Sequence, residues 1–269
     1  MTRLERPGGV ELHCEERGEG PLVVLAPYWS GHPAVYEGLL SELAGDHRVV
    51  TWDARGTGQS TRAGPYDMET DCSDLAAVLE EMGGDAVVIA TADGANRGVH
   101  VAARRPDLAT AVVTLGTAPF ARSHFAGGEG MVASDAVVGA FIEMLERDYR
   151  GALRTLLAAT NTQMSDEELR QRVAFQLSYC PQEAAVARVR AWAEDDPTTS
   201  ARETGDRLWV FAAPDVAGPW LPPREERRRL TNSLTPRAHV RETASDAGPI
   251  SNPDLTADAI RQITEPLRR

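Results

Sequence analysis

The stretch that most limits what this chain can become is Ala86-Val-Val-Ile-Ala90, followed by Thr91-Ala-Asp-Gly94 and then Ala95-Asn-Arg-Gly-Val-His100. An unbroken apolar run of strand length, with no alternating polar face, is the pattern of a strand buried on both sides. The run gives way at once to a turn of small residues and then to a helical segment. Strand, tight turn and helix make the unit from which a parallel sheet with covering helices is assembled. One such unit cannot bury itself, so the rest of the chain has to supply others.

It does. Leu22–Ala26 is a second apolar run, and Ala34–Ala44 after it carries Val35, Leu39, Leu40 and Leu43 at helical spacing, with Gly45 as a stop. Arg48–Trp52 is a third, followed by a glycine-rich turn over Asp53–Ser60 and a helix over Met68–Met82 striped by Leu75, Val78, Leu79 and Met82. The central unit continues as a helix over Gly94–Arg104, broken at Pro106, and Ala111–Leu115 is a further strand. Upstream, Val10–Glu16 alternates weakly and stops at Gly18-Glu-Gly20, as a first strand or hairpin does.

The alternation then ceases. From about Phe120 to Thr204 the pattern is helical, over Ser134–Asn161, Ser165–Tyr179 and Pro181–Glu194, with a capping-box signature at Ser165-Asp-Glu-Glu168. It resumes with a strand over Arg207–Ala212, a helix over Arg224–Ser233, a strand over Ala238–Ala244 and a last helix from Pro253 to Leu267. The expectation is an α/β fold, a mainly parallel sheet with helices on both faces. Residues 1–120 and 206–269 form the core domain, and 121–205 form an inserted helical cap or lid. Such a cap belongs over the carboxyl ends of the strands, where open α/β sheets bind ligands.

A length of 269 residues suits one such domain with an insertion. The net charge of −12 argues against a nucleic-acid or anionic-membrane surface and serves solubility; a small-molecule substrate or ligand is the expected partner. Cys14, Cys72 and Cys180 are too few and too scattered for a disulfide framework or a zinc site. H-E-x-x-H and phosphate-loop motifs are absent, so neither a metal nor a cofactor is expected. No apolar run approaches membrane-spanning length, and the first thirty residues carry charges throughout, so a cytoplasmic protein is the expectation. Oligomeric state is left open.

The segment Arg48-Val-Val-Thr-Trp-Asp53-Ala-Arg55-Gly56-Thr-Gly58-Gln-Ser60 matches D-x-R-G-x-G-x-S closely, and Ala90-Thr-Ala92-Asp-Gly94 fits small-x-nucleophile-x-small. On these residues the chain resembles the α/β-hydrolase-fold proteins, over Val10–Phe120 and from Arg207 onward. The resemblance implies a nucleophile at the tip of the elbow turn, but that position holds Ala92, whose methyl group cannot attack a carbonyl. A slip of one residue would put Asp93 there, like the carboxylate of an epoxide hydrolase or dehalogenase, at the cost of the spacing to Gly94 and Pro106. The implied histidine base falls in Asp246-Ala-Gly248-Pro249-Ile-Ser-Asn-Pro253, where Pro249 has no proton to exchange. The implied acid is present as Asp215, at the end of Phe211-Ala-Ala-Pro-Asp215. The resemblance thus implies a degenerate triad at Ala92 and Pro249.

By the same resemblance the backbone N–H groups of Trp29 and Asp93 would form an oxyanion hole, with Tyr28 and Trp29 adding aromatic bulk to the pocket wall. Of the six histidines, His32 in the hole loop and His124 at the entry to the cap have the reach to face that pocket. Three functions stay open. One is a cofactor-free enzyme of lyase, isomerase, cyclase or decarboxylase type, with Asp93 or Asp215 as the titrating group. The second is a non-catalytic binder or pseudoenzyme. The third is a hydrolase with a relocated nucleophile or an activated water, which requires a hydroxyl or thiol beside His32 or His124.

Overall fold

The computed structural model describes residues 1–116, 119, 135–160, 164–212, 224–242 and 253–265. Eight strands form one sheet: β1 (Thr2–Arg6), β2 (Val10–Arg17), β3 (Leu22–Ala26), β4 (Arg48–Trp52), β5 (Ala86–Ala90), β6 (Ala109–Gly116), β7 (Leu208–Ala212) and β8 (His239–Glu242). Their order is β1-β2-β4-β3-β5-β6-β7-β8. The hairpin β1–β2 and the β2–β4 pair are antiparallel, and every pair from β4 to β8 is parallel.

The apolar strands are buried on both faces because alternate side chains point to opposite sides. Val23, Leu25, Val49, Val87 and Ile89 pack on one side against helix α1 (Glu37–Leu43) and helix α10 (Pro253–Thr264), through Leu39, Leu40, Leu43, Ala257 and Ile260. Val24, Ala26, Val50, Val88 and Ala90 pack on the other against α2 (Met68–Glu81) and α3 (Asp93–Arg104). This two-sided covering is the expected α/β architecture.

Between β6 and β7 the described residues form helices α4 (Asp135–Arg147), α5 (Tyr149–Thr160), α6 (Asp166–Tyr179), α7 (Gln182–Glu194) and α8 (Thr198–Thr204). A further helix, α9 (Arg224–Leu234), separates β7 from β8. Helices α4 to α7 keep an apolar cluster of their own, joined by Trp29 and Tyr66 from the sheet side. The capping box is present at α6, where Glu168 N donates to Ser165 Oγ and Ser165 N donates to Glu168 Oε2 at 2.8 Å.

Three elements differ from the sequence reading. The helix expected over Ser134–Asn161 is two helices, because Asp148 accepts the Gly151 N–H at 2.9 Å and so starts α5 afresh. Strand β1 is polar at every position but Leu4 and mostly exposed, with no burial pattern to betray it. Helix α8 is too short for a readable stripe. The D-x-R-G-x-G-x-S turn is tied down by its own side chains. Asp53 Oδ2 accepts the Gln59 N–H at 2.8 Å, and Asp53 Oδ1 accepts Tyr179 Oη–H at 2.8 Å, which ties α6 to the turn. Gly58 has a φ of +51°, and a Cβ there would lie 2.2 Å from the Asp53 carboxylate. Among the described residues no helix is long and apolar enough to cross a membrane.

Candidate functional site

Strands β3 and β5 pair in register through Ala26 and Ala90, so the loops leaving their carboxyl ends emerge side by side. One loop is Pro27–His32; the other is the elbow, Thr91-Ala92. Ala92 has φ 47° and ψ −133°, a conformation that costs a non-glycine residue about 1–3 kcal/mol. The turn puts its methyl group at an exposed tip, directly before α3. Gly94 follows because a Cβ there would come within 3.0 Å of both Ala26 O and Pro27 O. The turn is therefore a strained strand-to-helix turn with a methyl group at its tip.

Asp93 points the other way. Its carboxylate is buried under the Pro27–His32 loop, where Oδ1 accepts the Trp29 N–H at 2.8 Å and Oδ2 pairs with the Arg97 guanidinium one helical turn on. Arg97 also donates to Pro27 O. Burial lifts the Asp93 carboxyl above the usual carboxylate range, with Asp71 adding to the lift; Arg97 and the Trp29 N–H offset it only in part. Two expectations meet this geometry. Asp93 is perturbed as a pocket acid should be, but both its oxygens are engaged inside the protein. The Trp29 N–H, expected as a donor to an oxyanion, already donates to Asp93. A carboxylate at the start of α3 complements the helix dipole and closes the hole that the backbone alone would form.

This pair belongs to a larger buried charge network. Arg97 Nε lies 3.3 Å from Asp71 Oδ2. Arg188, from α7, donates to the two Asp71 oxygens at 2.8 and 3.0 Å and to Arg55 O at 2.7 Å. Arg55 in turn grips Asp74 at 2.6 and 2.8 Å. Burial opposes ionisation of Asp71, yet Arg188 and Arg97 outweigh it and hold its carboxyl below the usual range. The network pins α7 to α2 and to the turn after β4.

The Pro27–His32 loop meets α6. Trp29 joins the helical cluster, edge-on to Phe141 at 6.0 Å. Gln176 Nε2 donates to Ser30 Oγ at 2.5 Å. His32 Nδ1 accepts the Ala34 N–H at 2.9 Å, and its ring lies edge-on to Phe175 and Tyr179, both at 4.5 Å. Burial lowers the His32 pKa, so the ring is neutral at neutral pH with its proton on Nε2. No hydroxyl or thiol is hydrogen-bonded to His32 among the described residues. Burial also pushes the Tyr28 phenol up to about 12.

The structure thus brings together Tyr28, Trp29, Ala92 and Asp93, with His32 at the far end of the same loop. His124, Asp215 and Pro249 lie outside the described residues. Sequence reasoning missed Arg97, although its i,i+4 spacing from Asp93 was a signal, and missed Asp71 with Arg188, which no local pattern joins. His100 is buried, and it holds Ser200 Oγ at 2.8 Å on Nδ1 and Asp195 Oδ1 at 3.1 Å on Nε2. Asn96 Nδ2 donates to the same aspartate at 2.8 Å, so the row ties α3 to the chain leaving α7. Among the described residues no group of three His, Cys, Asp or Glu side chains is placed to hold a metal ion.

The family described as the alpha/beta hydrolase fold matches residues 21–202, and this chain belongs to it. A 2-(acetamidomethylene)succinate hydrolase of Mesorhizobium japonicum is 27% identical over 148 residues, covering 54% of this chain and 51% of that one. A pimeloyl-[acyl-carrier protein] methyl ester esterase of Aeromonas hydrophila is 26% identical over 168 residues, covering 60% and 63%. The chain therefore spans between half and two thirds of the length of these curated relatives. Among solved structures, an esterase from Exiguobacterium antarcticum superimposes with a TM-score of 0.82 at 15% identity, covering 98% of this chain and 99% of that one. At that identity the likeness concerns the fold alone.

Proposed function

We propose that this α/β-hydrolase-fold chain binds a small organic molecule where the sheet's carboxyl edge meets its inserted helices, and that the elbow performs no covalent chemistry on it. The observation that carries the reading is the Asp93 carboxylate, held between the Trp29 N–H and Arg97. It takes away both the donor that would stabilise an oxyanion and the acid–base group nearest Ala92, whose methyl group supplies no nucleophile. On this reading the triad is degenerate at Ala92 and Pro249, residues 121–205 act as a cap, and the pocket is a receptor. The proton-transfer enzyme loses Asp93 and rests on Asp215 alone. Relatives that are hydrolases and esterases of small molecules support the ligand class without supplying this chain with their reaction.

The test is native mass spectrometry of the purified protein, followed by incubation with whatever it carries. A stoichiometric small molecule recovered unchanged is the expected result. Conversion of that molecule to a product overturns the receptor reading.

A second reading has one observation behind it. The hydrogen-bonded row Ser200–His100–Asp195 has the composition of a relocated triad. A serine-directed fluorophosphonate that labels the wild type and spares Ser200→Ala decides for it; absence of labelling leaves the row as a clasp between α3 and α8.

A further inference from the structure

Helix α6 turns one face toward the Pro27–His32 loop. Gln176 on that face bonds Ser30, and Phe175 and Tyr179 flank His32. Arg172 lies four residues before Gln176 and three before Phe175, so helical geometry stacks it on the same face, one turn further along the loop. It is half-buried and forms no ion pair with any described residue. Its positive charge acts on Tyr28, Tyr36 and His32 alike.

Tyr36 is 2% exposed, and its hydroxyl makes no hydrogen bond of full geometry, its nearest polar neighbours being Tyr28 and the Thr91 hydroxyl, which itself donates to Leu115 O at 2.7 Å. Orphaned buried hydroxyls are rare, because each forgoes the hydrogen bonds it had in water. The His32 Nε2–H likewise has no partner among the described residues. The groups left over are thus all donors: a guanidinium, two phenols and an imidazole N–H. The carboxylate that acts on the two phenols, Asp93, is already matched by Arg97, and Asp53, which acts on His32, accepts from Tyr179 and the Gln59 N–H. A surplus of donors around an unpaired arginine is complementary to anionic oxygen.

We propose that the face between the Pro27–His32 loop and α6 binds the carboxylate of a small organic acid, with Arg172 as its counter-charge and the Tyr36 phenol as a hydrogen-bond donor. This rests on the receptor reading above and names the ligand class. Arg172 supplies the charge selectivity. Tyr36, beside Thr91, fixes the carboxylate next to the exposed Ala92 methyl, which leaves the rest of the molecule over the elbow.

The test is calorimetric titration of the full chain with acetate, succinate and benzoate, each beside its methyl ester. At least one acid is expected to bind about tenfold or more tightly than its ester, the scale of a charge-assisted hydrogen bond. Arg172→Gln should remove that preference, and Arg172→Lys should keep part of it. Tyr36→Phe should weaken the acid several-fold while leaving the melting temperature unchanged or higher, because it deletes an orphaned buried hydroxyl. No binding by any of the three acids, equal binding of acid and ester, or an Arg172→Gln variant within threefold of wild type each overturns the proposal. The two readings fail separately. A co-purified neutral metabolite indifferent to Arg172→Gln sinks this inference and leaves the receptor standing, whereas turnover of a bound acid does the reverse.

Discussion

Replacing Arg188 by Met tests whether the buried charge network fastens the helical block to the sheet. The side chains of Arg188 and Asp71 are 1% and 3% exposed, and the guanidinium closes a two-pronged contact with the carboxylate while also capping Arg55 O. Removing one partner of such a pair costs about 3–5 kcal/mol, chiefly because the other charge stays buried. Arg97, 3.3 Å from Asp71, remains as a counter-charge, which places the expected loss near the lower end, about 3 kcal/mol. For a chain of this size that is a fall of roughly 6–12 °C in melting temperature.

The pH dependence gives an independent check. Asp71 has its folded pKa depressed, so it contributes stability that is present above its unfolded value of about 4 and is lost as pH falls through the lower folded value. Much of that contribution comes from Arg188. The gap between wild type and Arg188→Met is therefore full at pH 7 and narrows as the pH drops below about 4. Thermal unfolding followed by circular dichroism at several pH values reads both effects. A fall of less than about 2 °C at pH 7, or a gap that does not change with pH, refutes the reasoning. Arg188→Met combined with Asp71→Leu should recover part of the loss, since an apolar pair of similar volume replaces a buried ion pair at little cost.

Three further outcomes follow from the elbow. On the proposed reading, Ala92→Ser should give no hydrolysis of p-nitrophenyl acetate above buffer, because Asp93 holds the Trp29 N–H and the proposal gives the new hydroxyl no base; measurable burst or turnover contradicts this. Ala92→Gly removes a side chain from a positive-φ residue, so it should stabilise by about 1 kcal/mol after the entropy cost of glycine, and a lower melting temperature counts against strain at the tip. Asp93→Asn keeps an acceptor for the Trp29 N–H but removes the charge facing the buried Arg97, which keeps only Asp71. Its melting temperature should fall by roughly 6–12 °C, about 3 kcal/mol, while its binding of organic acids stays within about threefold; a tenfold loss of binding would return Asp93 to the chemistry of the site.

Which parts were legible in advance follows the range of the interactions. Unbroken apolar runs such as Val87-Val88-Ile89 announce strands buried on both faces, and Ser165 with Glu168 announces a helix start, because each depends on neighbours within a turn or two. β1 was hidden because an edge strand exposed on most of its length leaves no burial pattern. The break between α4 and α5 was hidden because Asp148 stops one helix and caps the next without a glycine or proline to mark it.

By itself, then, the sequence determined the α/β layering and the strand–turn–helix unit around Ala92, since these follow from periodicity. It also put an acidic residue beside Ala92. Only the tertiary structure decided that this acid faces inward: the direction of Asp93 is set by Arg97, by the Trp29 N–H on a loop from another strand, and by an electrostatic balance that includes Asp71 and Arg188. Electrostatic partners in a fold are chosen by proximity in space and by the low dielectric of the interior, and neither is written along the chain.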